Sequence, residues 1–395
     1  MTGDHSIWAY PWDLHDIGLD ESLRRITDAG LTMISVATSY HAGRFLQPGN
    51  PRRRVYFPQD GTVYYRPDPA RWQGHDILPL QADSVQAEGD MLAQLIARRD
   101  AGGPAVSCWT VCLHNTRLGM LHPAHVMRTA HGDPHYFGLC PSSPAVRDYV
   151  TTLVAEISHC YRPDRIELES PDFMGFAHGY HHEKDGLGLL AEDNFLLGVC
   201  FCAHCMTGAI ASGIDALAAR ATVADLLDDA FARELPQTQF PGFPADGIAA
   251  FADYPALAAY LHWRCEPVTS LIAAVKVVTH PDTALLLIDT EGTWWGGVDL
   301  PAIIPHIDGI LYCAYHMPAA QISPLLDRAR NLLGPDKTLI AGFQVFHPTV
   351  ADAADLANRA AQTRGLVDGL SFYNLGLIPP ARLHWVRQAL DAAST

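Results

Sequence analysis

Positive charge is scarce in this chain: 27 Lys and Arg stand against 43 Asp and Glu, a formal net charge of −16. Gripping a phosphate backbone takes a basic stripe, so no nucleic acid is expected as a partner. The one tight basic cluster, Arg52–Arg54, reads as a solvated loop. Long apolar runs are also missing. None reaches the roughly 18 residues that a spanning helix needs, so no membrane partner is expected. The stretch MTGDHSIWAYPW has no basic segment leading into an apolar one, so no secretory leader is expected. The nine cysteines are an odd number, and three crowd into Cys200–Cys205, unlike a secreted disulfide framework. A cytoplasmic location is the expectation. No GxGxxG turn follows the first apolar strand, which argues against a dinucleotide-binding doubly wound sheet. No short-period repeat is present, and no low-complexity segment beyond Ala-rich helices, Ala being a good helix former.

What remains is a well-cored chain of 395 residues, 48% hydrophobic and 18% charged. Short, continuous apolar runs alternate with helical patterns. The expected strands are Ile7–Tyr10, Leu31–Thr38, Val106–Leu113, Arg165–Glu169, Ala284–Asp289, Gly309–Ala314, Thr338–Gln344 and Gly369–Tyr373. Continuous apolar runs mark parallel strands covered on both faces. Eight β/α units predict an α/β fold: a (β/α)8 TIM barrel spanning 1–395, with long inserted loops. The region Ala42–Leu80 is a long aromatic excursion, placed to cover a subunit interface if the chain forms a homo-oligomer. The region 170–250 reads as a mostly helical insertion after the fourth strand.

Barrels of this kind carry their sites at the C-terminal strand ends. Those ends hold Trp8, Tyr10, Trp12 and Asp13; Tyr40 and His41; His114 and Asn115; Glu167 and Glu169; Asp289 and Glu291; Tyr315 and His316; Gln344; and Tyr373 and Asn374. Aromatic rings stack on sugar faces, amides and imidazoles bind hydroxyls, and two carboxyls cleave the bond. Strand side chains alternate faces, so Glu167 pairs with Glu169, and Asp289 with Glu291. Glu169, nearer the mouth, is the expected acid/base, with Asp289 or Glu291 as its partner. The competing reading locks Glu167 or Asp289 into a buried ion pair, for instance with Arg165. Trp294 and Trp295 are expected as a wall. His178, His181 and His182, in HGYHHEK, suit substrate binding, proton relay or a metal. Cys200, Cys202 and Cys205 have a spacing at which thiolates hold zinc. Cys140 is the first candidate for the fourth ligand of a structural zinc, and His204 the second. The other reading is of ordinary reduced cysteines. The chemistry itself needs no cofactor.

The segments LCPSSPAVRDYV and RIELES resemble a block in bacterial glycoside-hydrolase-like TIM barrels, including relatives of families 10 and 42. CFCAHC is similar to the zinc cysteine cluster that follows the fourth strand in some family 42 β-galactosidases. The resemblance implies a glycoside hydrolase acting on a small glycoside or oligosaccharide. Those barrels place Asn-Glu on strand four and a nucleophilic Glu on strand seven. Here Leu168 precedes Glu169, and strand seven ends in Phe343-Gln344. Two rivals follow. One is a metal-dependent sugar isomerase, epimerase or lyase using Glu169, Asp289 and His ligands. The other is a barrel that binds sugar without cleaving it.

Overall fold

The structure is a computed structural model that describes residues 3–178, 182–290 and 292–394. Eight parallel strands form its centre: β1 Ser6–Ala9, β2 Met33–Tyr40, β3 Ala105–Val111, β4 Arg165–Glu169, β5 Ala284–Asp289, β6 Gly309–Cys313, β7 Thr338–Gln344 and β8 Gly369–Tyr373. Each pairs with its neighbour in chain order, and β8 pairs with β1 to close the barrel. The fold is the expected TIM barrel. Strands and expectation agree within about two residues, because an apolar run long enough for both faces of a buried strand ends where the chain meets solvent. A short strand, Thr62–Val63, adds antiparallel to the end of β2. Between residues 170 and 250 lie the helices Ala191–Leu197, Ala203–Ala211 and Ala216–Ala232 and the shorter turns His182–Leu187 and Gly247–Phe251. No helix among the described residues is long and apolar enough to cross a membrane.

Alternation sorts every strand into two faces. Ile7, Ile34, Val36, Cys108, Ile166, Leu168, Leu285, Leu287, Ile310, Leu339 and Phe372 point outward into the layer beneath the helices. Trp8, Ala37, Trp109, Leu286, Leu311, Cys313 and Ile340 point inward. The floor of the barrel is polar. Arg165 donates to Ser107 Oγ at 3.1 Å and Ser6 Oγ at 3.0 Å, and Ser6 donates to Ser371 Oγ. Glu167 meets Arg165 at 2.8 Å and accepts from Trp8 Nε1 and Ser35 Oγ, both at 2.6 Å. Its carboxylate is fully buried and held by three different side chains. This corrects the placement of Glu167 among the catalytic acids. It is the counter-ion of Arg165, and the pair fills the barrel interior below the mouth.

The register also corrects Asp289. Leu286 lies beside Glu167, so Leu286 and Ile288 face inward with the glutamates, and Asp289 follows Leu285 and Leu287 outward. Asp289 is 1% exposed. It accepts from Thr290 N at 2.9 Å and Thr293 Oγ1 at 2.6 Å. Its carboxyl borders a separate cavity of about 860 Å³ behind the barrel wall, with Ala258, His262, Ile310 and Leu325. Glu291 and His181 lie outside the described residues, as does the side chain of His182.

Candidate active site

A cleft of about 1090 Å³ opens at the C-terminal ends of the strands. Trp8 and Trp109 make its base, stacked with ring centroids 5.5 Å apart. Tyr40, Tyr315 and Tyr373 rise from the strand ends, and Trp294 and Trp295 form the opposite wall. Gln344 and His178 also line it. Tyr10 and Trp12 do not reach the cleft. They are buried behind it, stacked at 4.5 Å, and Tyr10 Oη bonds the hydroxyls of Tyr40 at 3.0 Å and Tyr373 at 2.9 Å. They fix the cleft rings from behind rather than touching a ligand. Asn115 caps the helix Thr116–Leu121, accepting from Leu118 N at 2.8 Å, and donates to Gly61 O. Asn374 is fully buried and accepts from Gly376 N. His316 is exposed and is not among the residues lining the cleft. These placements take Asn115, Asn374 and His316 out of the ligand-facing set.

Two carboxyls of the cleft stand out. Glu169, the last residue of β4, is partly buried and accepts from Trp109 Nε1. Burial pushes its carboxyl up to about 7, against the opposing effect of the indole N–H. Asp172 lies just beyond, in the loop. Burial, with the nearby charges of Asp289 and Glu169, pushes it up to about 7 as well, while Arg264 acts the other way. Among the described residues the second carboxyl lining the cleft is Asp172 and not Asp289; Glu291 lies outside them.

The sequence gives little sign of Asp172. Continued alternation turns residue 172 away from the inner face that carries 169. The chain breaks that alternation at Ser170, whose φ is +50°. This is a left-handed conformation uncommon for a residue with a side chain, and it returns Asp172 to the cleft. Arg264 braces the same loop. Its guanidinium lies 4.7 Å from the ring centre of Phe173 and donates to the carbonyl of Trp295 at 3.3 Å. Trp109 was also missed. Its inward position could have been found from the alternation Ser107, Trp109, Val111.

Beside the cleft three imidazoles meet. His41 and His114 stack at 3.9 Å, and His178 meets His114 edge-on at 4.4 Å. Burial lowers His41 to about 4 and His114 to about 2, and lowers His178 too. Burial thus favours the neutral form of each ring.

The cysteines form a second cluster, between the loop after the strand Pro134–Leu139 and the helices that follow β4. Cys140, Cys200, Cys202 and Cys205 are all buried, and their four sulfurs lie within 4.8 Å of one another. Cys140 Sγ is 3.4 Å from Cys205 and Cys202 and 3.9 Å from Cys200. Tetrahedral zinc with Zn–S bonds of about 2.3 Å sets sulfurs about 3.8 Å apart. The amides of Arg128 and Cys202 point at Cys200 Sγ, at 3.4 and 3.5 Å, as N–H donors to a bound thiolate do. The donor set and its support fit zinc. His204 does not belong to this group.

Eight closed parallel strands with helices between them, and an aromatic-lined cleft at their C-terminal ends, define a TIM barrel. No family model and no curated sequence matches the chain. Among solved structures it is similar to β-galactosidase from the psychrophilic Marinomonas ef1, with a TM-score of 0.60 and 11% identity over 98% of this chain and 59% of that one. The catalytic domain of β-amylase from Paenibacillus polymyxa gives 0.58 and 12%, with 100% of both chains covered. α-L-Fucosidase isoenzyme 2 from Paenibacillus thiaminolyticus gives 0.55 and 12%, over 100% of this chain. The chain spans only about half of the fucosidase's length, 49%. At these identities the shared property is the fold.

Proposed function

We propose that the chain is a glycosidase acting on a small glycoside or oligosaccharide, with Glu169 and Asp172 as its two working carboxyls. One observation carries the reading: both acids are raised to about 7 and line the same aromatic-walled cleft. Two neighbouring carboxyls in a low-dielectric site do not ionise together readily, so near neutral pH one holds a proton while the other is charged. That is the state glycoside cleavage uses, with one acid protonating the leaving oxygen and the other acting as base or nucleophile. Glu169 takes the acid role, because it sits on the rigid strand end. Asp172, on the loop facing Arg264, takes the charged role. Trp8, Trp109, Trp294 and Trp295 offer faces for sugar rings, and Gln344 offers an amide for hydroxyls.

The test is turnover of a panel of aryl glycosides by Glu169→Gln and Asp172→Asn. Each is expected to lower kcat by about 10²–10⁴-fold, the usual weight of general acid–base catalysis, with the fold retained. A Glu169→Gln enzyme working at near-normal rate removes the acid assignment. Sugar binding by the native chain with no turnover of any glycoside favours the non-catalytic barrel. A metal-dependent isomerase or lyase built on Glu169 and Asp289 has less support, because these residues face opposite sides of the barrel wall. The reading includes a structural zinc on Cys140, Cys200, Cys202 and Cys205, away from the chemistry.

A further inference from the structure

Three loops that follow neighbouring strands each bring one histidine to the same point. His41 stands just past β2, His114 past β3 and His178 past β4. We propose that His41, His114 and His178 bind a divalent transition-metal ion at the rim of the cleft, a site separate from the cysteine cluster.

The geometry supports this in three ways. One donor nitrogen from each ring lies within 4.8 Å of the other two. His114 Nδ1 and His178 Nε2 are 3.2 Å apart. Two imidazole nitrogens bound to one tetrahedral ion at about 2.0–2.1 Å are separated by about 3.3 Å, so this pair already has the spacing of ligands on a common ion. The tautomer of His41 is set by its surroundings. Its Nδ1 is 2.6 Å from the carbonyl of Ala42; this nitrogen donates, and the lone pair of Nε2 is left for a ligand. A metal-binding histidine is oriented by this kind of hydrogen bond from its other nitrogen.

The donor set selects the ion. Three imidazoles suit Zn²⁺, Fe²⁺, Co²⁺ or Ni²⁺ and give little to Mg²⁺ or Ca²⁺, which take oxygen ligands. Three protein ligands also leave a coordination position open. His178 lines the cleft while His114 is 7% exposed, so the ion is seated on the inner rings and reached from the cleft side. An oxygen-rich ligand in the cleft, such as a sugar diol or carboxylate, is the chemical class that would complete it.

The full chain, stripped with chelator under reducing conditions, is titrated with Co²⁺ and followed by absorbance and by metal analysis after gel filtration. Binding to cysteine gives sulfur-to-cobalt charge-transfer bands; binding to imidazoles does not. The native chain is expected to take up an ion that adds no sulfur band. His178→Ala, at the exposed rim, is expected to weaken that event by more than the roughly 10–100-fold that loss of an outer-shell partner costs, and to leave the sulfur band unchanged. His41→Ala is expected to do the same, which covers a failure of either variant to fold. Cys202→Ser weakens the sulfur band and leaves the histidine event unchanged. A native chain that binds cobalt only with sulfur bands, or two histidine variants that bind as the native chain does, overturns the proposal. Neither readout depends on turnover, so the result is independent of the roles given to Glu169 and Asp172.

Discussion

Glu167 and Glu169 are two positions apart on one face of one strand, yet their surroundings assign them opposite tasks. Glu167 is surrounded by donors: Arg165, Trp8 and Ser35 satisfy it. Glu169 has the indole of Trp109 and the open cleft. The depth of one strand repeat separates a structural ion pair from a carboxyl held near neutral pH. Glu167→Ala leaves Arg165 buried and uncompensated, which typically costs about 3–5 kcal/mol. Denaturant unfolding is expected to show that loss, with the midpoint falling and the slope unchanged. Stability unchanged by Glu167→Ala would mean that Arg165 finds another counter-ion.

At the scale of the element, the loop after β4 and the helices that follow it matter more than the strands. The left-handed turn at Ser170 redirects the chain so that one short segment offers both Glu169 and Asp172 to the cleft. Arg264, from the turn between the helices Pro255–Trp263 and Cys265–Val278, packs on Phe173 and ties that loop to the wall carrying Trp295. The cysteine cluster does the same for the helices that follow β4. It joins Cys140, just beyond the strand Pro134–Leu139, to the start of the helix Ala203–Ala211. A bound ion contributes folding free energy wherever the unfolded chain has no formed site. Chelation, or Cys200→Ser, is therefore expected to lower Tm and to open 191–211 to limited proteolysis before the barrel unfolds. An unchanged cleavage pattern in chelator would leave the four thiols as ordinary core packing.

At the scale of the whole molecule, the mouth makes the fold sensitive to rising pH. The ordinary value for Glu169 is 4.5, and burial raises it to about 7. Between those values the folded chain holds a proton that the unfolded chain has released. Stability from this group is present below the ordinary value and is lost as pH rises through about 7. Asp172 acts in the same direction. Each proton contributes a slope of up to about 1.4 kcal/mol per pH unit. Glu169→Gln is expected to flatten the decline between about pH 5 and 7 and to leave the variant more stable than the native chain at pH 8. Thermal unfolding across that range checks it, and parallel curves for the two proteins would mean that Glu169 ionises normally. Gain in stability with loss of turnover is the pattern expected of a group kept for chemistry.

The order and length of the eight strands were legible in the chain itself, because an apolar run both begins and ends a buried parallel strand. Glu169 and the tryptophan pair Trp294-Trp295 were legible too, as were Cys200, Cys202 and Cys205, since each follows from spacing along a single segment, whereas Cys140 joins the cysteines from a distant one. Which face of β5 looks inward was not. That register comes from pairing with β4 and β6 in a closed barrel, and it turned Asp289 outward. Nor could alternation reach Asp172, past a backbone turn that leaves the strand conformation, or bring His41, His114 and His178 together from three loops. Local sequence sets periodicity, and so decides which residues share a face. Closure of the barrel sets which face is the inside, and so decides which residues meet.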